Sequence, residues 1–175
     1  MTPLPSMVLS LVLWFLALVL VFLSPGCSPP AISRATLQQT DRALTIDRLL
    51  QNPDTFQGST VLLGGEIIET RNTPGMTSII VLERHLDYRK KPRSGADSGG
   101  RFIIRHHSFL DPAIFRTGRV ITVAGVVIGS ESLPLGEISY RYPIIENKEL
   151  HLWPEDGYLT QEPSIHFGVG IGIGL

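Results

Sequence analysis

From Met7 to Leu23 the chain reads MVLSLVLWFLALVLVFL without a single charge, and Ser24-Pro25-Gly26 and then Cys27 follow at once. No charged side chain stands before Arg34, so all 15 Lys and Arg and all 16 Asp and Glu lie beyond this leader. A segment of this kind is an export signal or a membrane anchor. At about 1.5 Å per residue the run covers roughly 25 Å, slightly short of a bilayer core, so length leaves both readings open. The placement of Cys27 behind the small Gly26, with Pro25 ending any helix, favours cleavage after Gly26. The alternative is an uncleaved anchor that keeps the chain in the inner membrane. With residues 1–26 assigned as signal peptide, 149 residues remain. That is enough for one domain with its own core.

A single Cys excludes an internal disulfide framework and a four-thiolate metal site. The net charge of -1 and pI near 6.5 provide no clustered basic footprint for phosphate backbones, so nucleic acid is not an expected partner.

Leu23-Ser24-Pro25-Gly26-Cys27 resembles a bacterial lipobox, with Leu23 one place further from the Cys than the usual pattern has it. The resemblance implies that Cys27 carries acyl chains such as palmitate and becomes the mature N-terminus. Each buried methylene adds about 0.8 kcal/mol, so two or three chains hold the domain durably. Membrane lipid, through acylated Cys27, is then a partner. Ser28, where an Asp would mark retention in the inner membrane, implies handling by the lipoprotein sorting machinery and transfer to the outer membrane. Residues 27–43 are assigned as acylated N-terminus and tether, with Pro29-Pro30-Ala31-Ile32-Ser33 a stiff, uncharged spacer.

Leu44, Ile46, Leu49 and Leu50 fit a short helix that Asn52-Pro53 stops. The β-branched run from Ser59 to Thr70 is a strand, with a bulge expected at Gly64-Gly65. The turn residues Asn72 to Gly75 lead into a second strand, Thr77–Glu83, so the two form a hairpin. Asp87 to Gly100, with Arg89, Lys90, Lys91 and Arg93 and with Arg101 at its edge, reads as a solvated loop, with contact to a membrane surface or to phosphate as the alternative. A short third strand, Arg101–Arg105, precedes one or two helical turns begun by Asp111-Pro112 and ended by Gly118. GRVITVAGVVIG, from Gly118 to Gly129, is the clearest strand, with a bulge at Gly125. Pro134 and Gly136 mark a turn, Glu137–Tyr142 alternates as a fifth strand that Pro143 makes an edge or ends, and Glu149–Trp153 is the sixth.

This order, with glycine bends in the first and fourth strands, is similar to a small OB-like antiparallel barrel with short helical insertions, so the fold class is mainly β. A β-sandwich is the alternative, because alternation specifies faces and not pairing partners. Residues 44–159 form the β domain. Residues 160–175 form a Gly-rich apolar tail; from His166 to Leu175 Gly alternates with aliphatic residues, which suits an apolar strip on a sheet edge or a membrane, or else a flexible terminus.

Several positions in order and spacing resemble the Slp family of starvation-inducible outer-membrane lipoproteins. They are Asn52-Pro53, Phe56, Gly58, Gly64-Gly65 with Ile67, Gly100-Arg101-Phe102, Phe109 to Pro112 with Phe115, and Gly118-Arg119 leading to Thr122–Gly125. Tyr140 to Pro143 and Leu152-Trp153 complete the set. The resemblance implies a lipid-anchored, periplasm-facing outer-membrane protein of the cell envelope, made in stationary phase or stress response, with no catalytic residues to carry over.

The residues themselves point the same way. His106-His107 beside Asp111 is the one cluster that resembles a metal or acid–base site, but adjacent strand residues face opposite ways and no metal-ligand spacing occurs. Neither Ser108 nor Ser132 has a nucleophile context. No catalytic residue, metal or cofactor is expected. Tyr140, Tyr142 and Trp153 are the candidate ligand face. Two readings follow: a non-enzymatic envelope lipoprotein with a structural or binding role, or an OB-like module taking an oligosaccharide, peptidoglycan fragment or protein segment. An exposed aromatic groove would favour the second, and buried rings the first.

Overall fold

A computed structural model describes residues 10, 14, 15, 30–95 and 97–155. The leader, Gly26, Cys27 and the tail from 160 lie outside the described residues, apart from Ser10, Trp14 and Phe15. Helix α1 spans Arg34–Gln39 and α2 spans Ile46–Gln51, and a 3-10 turn, Pro53–Phe56, follows. Five strands come next: β1 (Thr60–Thr73), β2 (Met76–Glu83), β3 (Arg101–His106), β4 (Val120–Leu135) and β5 (Ile138–Leu152). They close on themselves in the order β1-β2-β3-β5-β4, with β4 pairing back to β1. This closed OB-like order answers the sandwich alternative. Neighbours are antiparallel except β3 and β5, which run parallel at Ile103↔Ile144 and Ile104↔Ile145.

Alternation sorts the side chains onto two sides of this sheet. Ile79, Val81, Phe102, Ile104 and Ile145 point inward with Val61, Leu63, Ile67, Ile121, Val123 and Val127, and all are buried in one cluster. Leu44, Ile46 and Leu49 join it, so the expected short helix serves the core through one apolar stripe. Burial of each large side chain stabilises the fold by about 1.5–3 kcal/mol. On the opposite side Ile80, Ile103 and Ile144 form a second cluster with Tyr142.

Four local expectations are corrected. The bulge in β1 falls between Ile67 and Glu69, not at Gly64-Gly65. Those glycines serve close approach instead: a Cβ at Gly65 would fall on the Leu82 carbonyl, and one at Gly64 would sit 2.8 Å from Leu86 Cδ2. The bulge at Gly125 is present, between Ala124 and Gly125 in the pairing with β5. Among the described residues there are five strands, not six, because Glu137–Tyr142 and Glu149–Trp153 belong to one long strand. Pro143 lies within β5, pairing with Ser130. It can do so because the pairing with β3 starts only at Ile144, so the strand before it has β4 on one side alone. Pro134 lies inside β4, and Gly136, with φ +60°, makes the turn. At Asp111 there is a hydrogen-bonded turn without a helix: its Oδ1 accepts from Ala113 N–H at 2.8 Å, and its carbonyl from Ile114 and Phe115.

The stretch assigned as tether is partly folded. Ile32 is buried, and Ser33 caps α1 by accepting from Thr36 N–H at 3.2 Å. Glu149 on β5 then accepts from Ser33 N–H at 2.7 Å, Ser33 Oγ at 2.6 Å and Thr36 Oγ1 at 2.5 Å. These bonds hold its carboxyl below the ordinary glutamate value, the Ser33 hydroxyl most strongly.

Candidate functional site

The long β4–β5 hairpin decides what the aromatic side chains can do. Its far half carries Leu133, Tyr140 and Tyr142 onto the outer side of β2 and β3, against Ile80 and Ile103. Tyr142 is 2% exposed, and its ring meets Tyr140 edge to face at 4.8 Å between centroids. Tyr140 Oη accepts from Arg101 N–H at 3.0 Å, fixing the start of β3. Here the two tyrosines cover a sheet face, and Tyr142, almost wholly buried, only borders a depression of about 260 Å³ that Ile68, Arg71 and Leu133 also line.

Trp153 stands elsewhere, just past the end of β5. It is 7% exposed, and its Nε1–H donates to Thr122 Oγ1 at 2.9 Å. The structure therefore brings Tyr140 and Tyr142 together and leaves Trp153 in separate company. His151 stacks edge-on against Trp153 at 4.5 Å, and burial pushes the His151 imidazole below its ordinary value.

The basic run read as a solvated loop is anchored at the same place. Asp87 Oδ1 accepts from the N–H of Arg89 and of Lys91, each at 2.8 Å, folding the segment into a tight turn. Lys90 sits at φ +69°, and its carbonyl accepts from Thr122 Oγ1 at 2.7 Å. Leu86 and Pro92 pair across the turn. The guanidinium of Arg89 and the ammonium of Lys91 lie 6.0 Å and 5.9 Å from the Trp153 ring centre. Thr122 thus joins the turn and the Trp153 ring through one hydroxyl. The signal for this turn was in the sequence: Asp87 two residues before Arg89 is an Asx pattern, outweighed by the charges that follow it.

The histidine pair separates as strand geometry requires. His106 is bonded to Ser108 and Asn147, each at 2.6 Å, and His107 to Glu146 at 2.5 Å. Among the described residues no group of three His, Cys, Asp or Glu side chains is arranged to hold a metal, and no helix is long and apolar enough to cross a membrane.

The outer membrane lipoprotein Slp family matches residues 25–169 of this chain. The chain belongs to the Slp family. Outer membrane protein Slp of Escherichia coli is 25% identical over 138 residues, covering 79% of this chain and 73% of that protein. An uncharacterized protein of Haemophilus influenzae is 33% identical over 95 residues, or 54% of this chain. This chain spans about half the length of that relative, 51%. The family match takes in the closed sheet, the hairpin and the Trp153 surroundings alike. In Slp terms, the residues from Asn52 to Trp153 that carry the sequence resemblance are mostly turns, close-approach glycines and buried rings of one domain.

Proposed function

We propose that this Slp-family chain is a non-enzymatic lipoprotein, cleaved after Gly26, acylated on Cys27 and held at the periplasmic face of the outer membrane. There it makes structural or binding contacts in stationary phase or stress. The observation that carries this reading is the start of the family match at residue 25, which places Cys27 inside the shared region. The folded part supports it. Docking begins at Ile32, so residues 28–31 reach at most about 14 Å from the lipid, and the domain rides close to the membrane. The histidines and Asp111 are engaged in bonds that shape the β3–β4 connection, and Tyr140 and Tyr142 serve as cover. The ligand-module alternative with Tyr140, Tyr142 and Trp153 as one face loses ground on that account.

The test is the intact mass of membrane-extracted protein, wild type against Cys27→Ala, with inner and outer membranes separated. The expected result is loss of residues 1–26 plus the mass of acyl chains in the outer membrane, both absent in the variant. A full-length chain in the inner membrane overturns the reading in favour of an uncleaved anchor.

A further inference from the structure

A groove of about 450 Å³ opens beside Trp153, lined by Pro30, Leu37, Tyr88, Arg89, Lys90 and His151 among others. Three features point to one occupant. First, Pro30 is on its rim, and the membrane-held segment ends there: Cys27 is three residues upstream, a reach of about 10 Å in extended chain. Second, the turn presents Tyr88, 87% exposed, next to Arg89 and Lys90. An amphipathic ring beside two cations suits the headgroup level of a bilayer. Third, the turn is pre-shaped by Asp87 and Thr122, so little ordering opposes docking. Arg42 lines the adjoining depression with Lys90 and adds to the positive rim. Of the nearby carboxylates, Asp87 is occupied by the turn's own N–H groups and Asp41 by Ala43 N–H at 2.9 Å.

We propose that the Tyr88–Lys91 turn and the Trp153 groove dock on the bilayer that holds the chain, with Arg89 and Lys90 pairing to the phosphates of anionic phospholipids and Tyr88 seated at the headgroup level. This rests on the membrane anchoring proposed above, and requires only that the chain be held just upstream of Pro30, by acylated Cys27 or by the uncut apolar run. Docking orients the domain, so the β4–β5 hairpin and the rest of the surface are offered to the periplasm in one pose.

The probe is the full membrane-extracted chain carrying Tyr88→Trp, reconstituted in vesicles of phosphatidylcholine alone or mixed equally with phosphatidylglycerol. Trp emission is read against the same protein without the substitution, with headgroup spin-labelled lipid as quencher. Docking shows as a blue shift and stronger quenching in the phosphatidylglycerol vesicles, reversed by high salt. Arg89→Gln together with Lys90→Asn lowers the ratio of docked to undocked protein by about fivefold per cation removed, from roughly 1 kcal/mol each. Equal signals in both vesicle types, or an unchanged signal in the double variant, overturn the proposal. Intact mass on the same sample separates the two failures. An anchored chain without the shift ends the docking alone, whereas a chain recovered unanchored ends both.

Discussion

Glu149 and Ser33, 116 positions apart, are joined twice, by the backbone N–H and by the hydroxyl of Ser33. Thr36 adds a third bond to the same carboxylate. The arrangement ties the first turn of α1 to the last part of β5, so one carboxylate helps hold the N-terminal segment of the described domain on the sheet.

Replacing Glu149 by Ala leaves the Ser33 and Thr36 groups without their acceptor. At about 0.5–1.5 kcal/mol net per hydrogen bond, and with water able to compensate at this partly exposed site, a loss of about 2 kcal/mol is expected. It is measured by urea unfolding. A limited digest should show earlier cutting between residues 31 and 43. An unchanged urea midpoint and digest would mean that α1 does not depend on this carboxylate.

Acid should loosen the same contact. The hydrogen bonds from Ser33 and Thr36 make the Glu149 carboxyl titrate below the ordinary glutamate value of 4.5 in the folded chain, so its contribution is complete above that pH and is lost as pH falls through the lower folded value. A plot of unfolding free energy against pH should therefore drop less steeply below 4.5 in Glu149→Gln than in wild type. Parallel curves would contradict the assignment.

His151 acts in a higher window. Burial against Trp153 depresses its titration below 6.5, so the folded state resists protonation, and stability decreases as pH falls below 6.5 toward the folded value. Comparing denaturation midpoints at about pH 7.5 and pH 5.5, the His151→Gln variant should lose less on acidification than wild type. An equal loss in both would place the pH dependence elsewhere.

Two glycines should respond differently to alanine. At Gly65 the new methyl meets the Leu82 carbonyl, a backbone atom that cannot turn away, and a destabilisation of about 3 kcal/mol or failure to fold is expected. At Gly75, with φ +79° and open space around it, only the left-handed backbone opposes the change, by about 1 kcal/mol. Thermal melts of the two variants separate these cases. Equal costs would refute the close-approach account.

The covering role of the hairpin is tested by truncation. Tyr142→Ala empties a buried site and should cost about 3–5 kcal/mol, whereas Ile138→Ser, at a position 60% exposed near the hairpin tip, should stay within about 0.5 kcal/mol. If Tyr142→Ala were as harmless as Ile138→Ser, the outer face of β2 and β3 would not depend on its cover.

Much of this architecture can be read along the chain. The hairpin of β1 and β2, the short strand β3, the clear run of β4 and the short helix after Leu44 are visible because each depends on a local period or turn residue: two for the inward Ile79 and Val81, a positive φ for Gly75, an apolar stripe for Ile46 and Leu49. The family resemblance is visible for the same reason, since turns and close-approach glycines keep fixed spacing. Pairing across the chain decides the rest. Pro143 reads as an edge position or a strand end, and only the pairing of β3 with β5 from Ile144 onward decides for the edge. Gly64-Gly65 reads as a bulge until the crossing of Leu82 and Leu86 is known. Tyr140 and Tyr142 read as a ligand face until the hairpin is laid over Ile80 and Ile103, and the charges of Arg89 to Lys91 hide a turn that Thr122 holds from another strand. Local chemistry sets what each segment can become. Which face is covered, and by what, follows from contacts between residues tens of positions apart, whose energies depend on a closed sheet that no single segment encodes.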